Sequence, residues 1–222
     1  MSGLRVKICG LSTAATLDAA LASGADLVGF VHFPRSPRHV ALDEGRPLSE
    51  QARGRAERVL LLVDPDDEIV AAACEALDPD WIQLHGGESP ERVAAIRAAS
   101  GRRVMKALGI GTRADLAAVA AYAAVADRLL LDAKPPAGAD LPGGNGAAFD
   151  WTLLAGAELP ATYMLSGGLT PENVADALTR TNAAAVDVSS GVETRPGHKD
   201  AARIAAFVAA VRAHARQDRP CR

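Results

Sequence analysis

Thr162-Tyr163-Met164-Leu165-Ser166-Gly167-Gly168 and Ala185-Val186-Asp187-Val188-Ser189-Ser190-Gly191 are two copies of one device. Each is a short apolar run that stops in a turn of serine and glycine. Runs of four or five apolar residues bounded by glycine suit strands buried on both faces, as in a parallel sheet. A Ser/Gly turn at the end of such a strand offers backbone N–H groups with no Cβ in the way, a setting that suits a phosphate. In an eight-stranded α/β barrel the phosphate site lies in the loops after strands seven and eight. If these runs are those strands, the ligand is a phosphorylated small molecule.

The rest of the chain supplies six earlier runs. Candidate strands begin near Leu4, Asp26, Glu57, Asp80, Arg103, Asp127, Ala161 and Ala184, with starts 22 to 34 residues apart. That spacing fits one strand and one helix per unit, and it predicts a parallel sheet with covering helices. Ser12 or Thr13 precedes a helix over Ala14–Ser23, and Ser89-Pro90-Glu91 opens one through Ala99. Thr112 precedes Ala114–Ala123, and Thr170-Pro171-Glu172 opens another helix. Proline is harmless in a first turn, and Gly24 and Gly101 stand where C-terminal caps belong. The expected fold class is therefore α/β: a single (β/α)8 barrel of parallel strands over residues 1–222, with 217–222 as a flexible tail. Pro135–Gly146 holds three Pro and four Gly in twelve residues. It follows the sixth strand and is expected to cover a bound ligand. Gly109-Ile110-Gly111-Thr112-Arg113-Ala114 matches a dinucleotide fingerprint, but its mid-chain position favours an ordinary strand-to-helix turn.

A net charge of −3 argues against nucleic acid or an anionic membrane as main partner. There is no secretory h-region and no apolar stretch of about 18 residues. Cysteines 9, 74 and 221 form no CxxC pair, which indicates neither a disulfide framework nor a zinc site. The expected setting is a reduced, cytoplasmic one.

Chemistry in a barrel belongs at the C-terminal strand ends. The polar residues there are Lys7 and Cys9, His32, Arg35 to Arg38, Asp64, Gln83 and His85, Lys106, Asp132, Ser166, and Asp187 to Ser190. Strand alternation puts Lys7 and Cys9 on one side, where the lysine would favour a thiolate; the alternative is an inert core thiol. Asp132 ends Arg128-Leu129-Leu130-Leu131, where partial desolvation would make it an acid; the alternative is a turn cap or a pair with Lys134. Asp64-Pro65-Asp66 reads as a helix-opening turn, and Cys74 as structural. Arg35-Ser36-Pro37-Arg38 suits bidentate capture of a carboxylate, or is a solvated basic loop. His85 has no companion at metal-ligand spacing. His32 stands where an aromatic residue would be expected. One acid, one thiol base, a phosphate anchor and a carboxylate clamp describe a proton-shuffling enzyme needing no cofactor.

Lys7-Ile8-Cys9-Gly10, Gly29-Phe30-Val31 through Ser36-Pro37-Arg38, Gln83-Leu84-His85-Gly86, Leu131-Asp132, Leu165-Ser166-Gly167-Gly168-Leu169 and Asp187-Val188-Ser189-Ser190-Gly191-Val192-Glu193 occur in order. Together, over about residues 4–210, they resemble the phosphoribosylanthranilate isomerases of tryptophan biosynthesis. The resemblance implies a cofactor-free, metal-free Amadori rearrangement of N-(5-phosphoribosyl)anthranilate to 1-(o-carboxyphenylamino)-1-deoxyribulose 5-phosphate. It implies Asp132 as acid and Cys9 as base, and Arg38 on the anthranilate carboxylate. Gly167, Gly168, Asp187, Ser189, Ser190 and Gly191 would form the phosphate loops, with Lys7, Gln83 and His85 also at the substrate. The protein would be a monomer or homodimer. Rival readings are a sister aminoaldose isomerase of histidine biosynthesis, which would want aspartates where Cys9 and Met105-Lys106 stand, and a non-catalytic sugar-phosphate-binding barrel.

Overall fold

Eight parallel strands close on themselves in sequence order, the eighth pairing with the first. The structure, a computed structural model, describes residues 3–135, 138, 143 and 150–217. The strands are β1 (Arg5–Cys9), β2 (Leu27–Val31), β3 (Glu57–Leu62), β4 (Trp81–Leu84), β5 (Arg103–Ile110), β6 (Arg128–Ala133), β7 (Met164–Leu165) and β8 (Ala185–Val188). A small hairpin of β9 (Glu193–Arg195) and β10 (His198–Lys199) follows. Helices α1 (Ala14–Ala22), α2 (Leu42–Ala52), α3 (Asp67–Leu77) and α4 (Pro90–Ser100) connect the first five strands; α5 (Val119–Ala123), α6 (Val174–Thr181) and α7 (Ala201–Gln217) come later. No described helix is long and apolar enough to cross a membrane.

Local chemistry explains the helix ends. Ser89 caps α4 by accepting the Arg92 N–H, Pro90 fills the first turn, and Gly101 closes it at φ +63°. Asp66 caps α3 by accepting the Ile69 N–H at 2.8 Å. The Asp64-Pro65-Asp66 turn thus opens α3 as expected, while Asp64 itself sits at φ +46° and accepts the Gly87 N–H at 2.7 Å, tying two rim loops together. Two expectations shift. The segment after Thr112 begins as a 3-10 helix over Arg113–Ala118, so α5 itself is short. Thr170 and Asn173 lock a turn through the Thr170 N–H to Asn173 Oδ1 bond at 2.8 Å, and α6 starts only at Val174. Gly109 and Ile110 lie inside β5, and Thr112 and Asp115 form a capping box, so the glycine motif is an ordinary turn. Gln217 is helical; residues 218–222 of the expected tail lie outside the described residues. So does the expected cover at 135–146, apart from Pro135, Gly138 and Gly143.

Alternation splits each strand between two cores. Val6, Ile8, Val28, Phe30, Leu60, Ile82 and Val186 pack outward under the helices. Leu27, Val59, Trp81, Met105, Leu130, Met164 and Ala185 fill the barrel's middle. At its N-terminal end Trp81 lies 4.3 Å and 4.9 Å from the guanidiniums of Arg103 and Arg128. The middle is thus plugged with apolar bulk, which separates this charged cluster from the polar inward-facing residues at the C-terminal end.

Candidate active site

That end opens into a cavity of roughly 800 Å³, its mouth included, with Cys9 and Asp132 in its lining. Arg38, Gln83, His85, Ser166, Gly167, Gly168, Asp187, Ser189 and Ser190 line it too, so most residues singled out from the sequence converge. Lys7 and Gly191 do not line it. Lys7 is fully buried, and its Nζ donates to Asp187 Oδ1 at 2.9 Å. The pair arises because Lys7 and Asp187 stand opposite each other in the β1–β8 register. Gly191 belongs to a one-turn 3-10 helix, Ser190–Val192, and packs so tightly on the Leu169 carbonyl that no Cβ would fit. Its role is to let the two Ser/Gly turns touch.

The base candidate departs from the sequence reading. Burial pushes the Cys9 thiol up, and the nearby Lys7 charge only partly offsets that. Burial alone would lower Lys7, but Asp187 and Cys9 together, by charge and hydrogen bond, outweigh it and push the ammonium up. The lysine is therefore shared between Asp187 and Cys9, and burial works against the thiolate that its charge favours.

Asp132 is buried at the tip of β6. Its Oδ1 accepts the Ala133 N–H at 2.9 Å, and its Oδ2 lies 3.2 Å from His85 Nε2. Lys134 pairs instead with Asp115 at 2.7 Å. Arg38 lines the cavity, with its Nε and Nη2 donating to the two oxygens of Glu193 at 2.8 and 2.9 Å. Glu193 also accepts from Lys199 Nζ at 2.6 Å. The same ammonium donates to the Ser189 carbonyl at 2.9 Å, and Ser189 Oγ donates to the Cys9 carbonyl at 3.2 Å. One buried network thus joins the arginine clamp, the second Ser/Gly turn and the thiol strand.

Sequence reasoning passed over several contributors. Glu193 stood at the end of a quoted motif without a role, and Lys199 follows a glycine turn. Phe33, which lines the cavity, supplies the aromatic ring expected at position 32. His32 instead packs against His39 with ring centroids 5.0 Å apart. Arg35 is exposed, while Lys106 is buried against Glu88 at 2.7 Å, away from the cavity lining. Among the described residues no three His, Cys, Asp or Glu side chains group to hold a metal ion.

Residues 6–210 match the family described as N-(5'phosphoribosyl)anthranilate (PRA) isomerase. A protein of Azorhizobium caulinodans named N-(5'-phosphoribosyl)anthranilate isomerase is 64% identical over 99% of this chain and 96% of its own length. The crystal structure of phosphoribosyl anthranilate isomerase from Thermotoga maritima superposes with a TM-score of 0.85 at 34% identity, covering 95% of this chain and 99% of that one. Another, in complex with reduced 1-(o-carboxyphenylamino)-1-deoxyribulose 5-phosphate, gives 0.82 at 32% identity over 95% and 99%. Agreement of this extent, over the whole barrel and its rim, leaves one conclusion: the chain belongs to the N-(5'-phosphoribosyl)anthranilate isomerase family.

Proposed function

We propose that this isomerase carries out its Amadori rearrangement with Asp132 as general acid and Cys9 as general base. Asp132 gives a proton to the furanose ring oxygen as the C1′–O bond breaks, leaving a Schiff base. Cys9, as thiolate, takes the C2′ proton, and the enol amine tautomerises to the ketone of 1-(o-carboxyphenylamino)-1-deoxyribulose 5-phosphate. The Ser166-Gly167-Gly168 and Ser189-Ser190 turns hold the phosphate, and Arg38 faces the anthranilate carboxylate. Anchoring both ends fixes the ribose between acid and base, which saves several kcal/mol of positioning. Asp187 acts on this chemistry through Lys7, whose charge it holds beside the thiol.

The observation that carries the reading is the convergence of a β1 thiol and a β6 carboxylate on one cavity walled by both Ser/Gly turns. The proposal includes one barrel domain over the whole chain, a cytoplasmic setting and a monomer or homodimer, the last checked by sedimentation. Following the loss of phosphoribosylanthranilate fluorescence tests the assignments. Cys9→Ser and Asp132→Asn are each expected to lower kcat by about a thousandfold with an unchanged circular dichroism spectrum. Near-normal turnover in either variant removes that residue's role.

A further inference from the structure

Behind Asp132 stand two side chains in line. Gln83 Nε2 lies 3.0 Å from His85 Nδ1, and His85 Nε2 lies 3.2 Å from Asp132 Oδ2. Gln83 is wholly buried, and its carbonyl oxygen Oε1 has no hydrogen-bond partner among the described residues. Asp132 is not claimed by its neighbour Lys134, which is held by Asp115.

An amide NH2 only donates, so the ring nitrogen it faces must offer a lone pair. The imidazole proton then sits on Nε2 and points at Oδ2. Turning the Gln83 amide by half a turn would give Oε1 a partner in a protonated Nδ1. The ring would then either lose its Nε2 proton or become charged. The orientation that leaves Oε1 unsatisfied is therefore the one that serves the carboxyl group, and a buried orphan acceptor calls for such an explanation.

We propose that Gln83 and His85 are positioning residues that hold an N–H donor on Asp132 and so stabilise the carboxylate left when the acid gives up its proton. A histidine beside a carboxylic acid competes for its proton when the facing nitrogen is bare. With Nε2–H fixed by Gln83, His85 can only donate. The acid's proton then rests on Oδ1, which retains a lone pair beyond the one used by the Ala133 N–H. It leaves to the furanose ring oxygen as the C1′–O bond breaks, and nothing is oxidised or reduced. The Nε2–H···Oδ2 bond strengthens as the carboxylate forms, so it favours the transition state over the ground state. The inference rests on Asp132 being the acid.

Nitrogen-15 NMR of the histidine rings in the full chain at pH 7.5 should find His85 in the Nε2–H form. Gln83→Leu, close in size but unable to donate, should lower kcat by at least about tenfold with KM within about threefold. Gln83→Glu would draw a proton onto Nδ1 and leave Nε2–H in place, so it should lose less kcat than Gln83→Leu despite a lower Tm. A purely structural glutamine predicts the reverse order, with leucine tolerated and a buried carboxylate not. A wild-type ring protonated on Nδ1, or a Gln83→Leu enzyme turning over at the normal rate, overturns the proposal. Should Gln83→Leu not fold, the wild-type ring tautomer decides alone. Failure of the acid assignment shows separately, as turnover retained by Asp132→Asn.

Discussion

Lys7 lies two residues before Cys9, and from the sequence its charge belongs to the thiol. The β1–β8 register brings Asp187 opposite it to share that charge, a pairing 180 residues distant in the chain. Strand alternation is local and was legible; which strand closes the barrel onto β1 is not local, so the direction of the Cys9 shift was hidden. The consequence is measurable. Ordinary cysteine titrates near 8.5, and burial pushes Cys9 above its own reference. Alkylation of Cys9 by iodoacetamide should therefore climb about tenfold per pH unit through pH 7 to 8.5, without levelling below about pH 8.5. A plateau already at neutral pH would show a resting thiolate instead.

Among the elements, β9 and β10 were the least visible in advance. Five residues around a turn carry little pattern of their own, and their importance lies in Glu193 and Lys199. Burial works to raise the Glu193 carboxyl, but the Arg38 bond and the Lys199 charge outweigh it and hold it below the usual range. Glu193→Gln removes the carboxylate that two buried cations, Arg38 and Lys199, share. It is expected to cost about 3–5 kcal/mol of stability, since breaking a buried pair strands its partner. It should also raise KM for the substrate by about tenfold through a loosened Arg38. Thermal unfolding and steady-state kinetics check the two effects separately. By contrast, the eight barrel runs were legible because apolar bulk, turn glycines and unit length all repeat. The seventh was overdrawn: Tyr163 points its hydroxyl at the Thr181 carbonyl, and pairing begins only at Met164.

For the molecule as a whole, several carboxyls are held low by arginine or lysine. Besides Glu193, burial opposes but hydrogen bonding from Trp81 and Arg5 prevails at Glu57, and Arg58 prevails likewise at Asp80. A carboxyl lowered in the folded state stabilises fully above its unfolded value, about 4.3 for glutamate, and that stability drains as pH falls through the folded value. The urea midpoint should be flat from about pH 7 to 5.5 and fall below about pH 5, less steeply in Glu193→Gln. An equal slope in the two proteins would remove Glu193 from the acid sensitivity. The barrel is also uneven around its circumference. Met164 and Leu165 are the whole of β7, and each neighbouring strand meets it at two register positions, whereas β5 and β6 meet at six. A hoop parts at its narrowest stave, and this stave carries the Ser166-Gly167-Gly168 turn. An anion seated there would rivet the joint, so amide exchange at Met164–Ser166 should slow more than elsewhere once the sugar phosphate is in place.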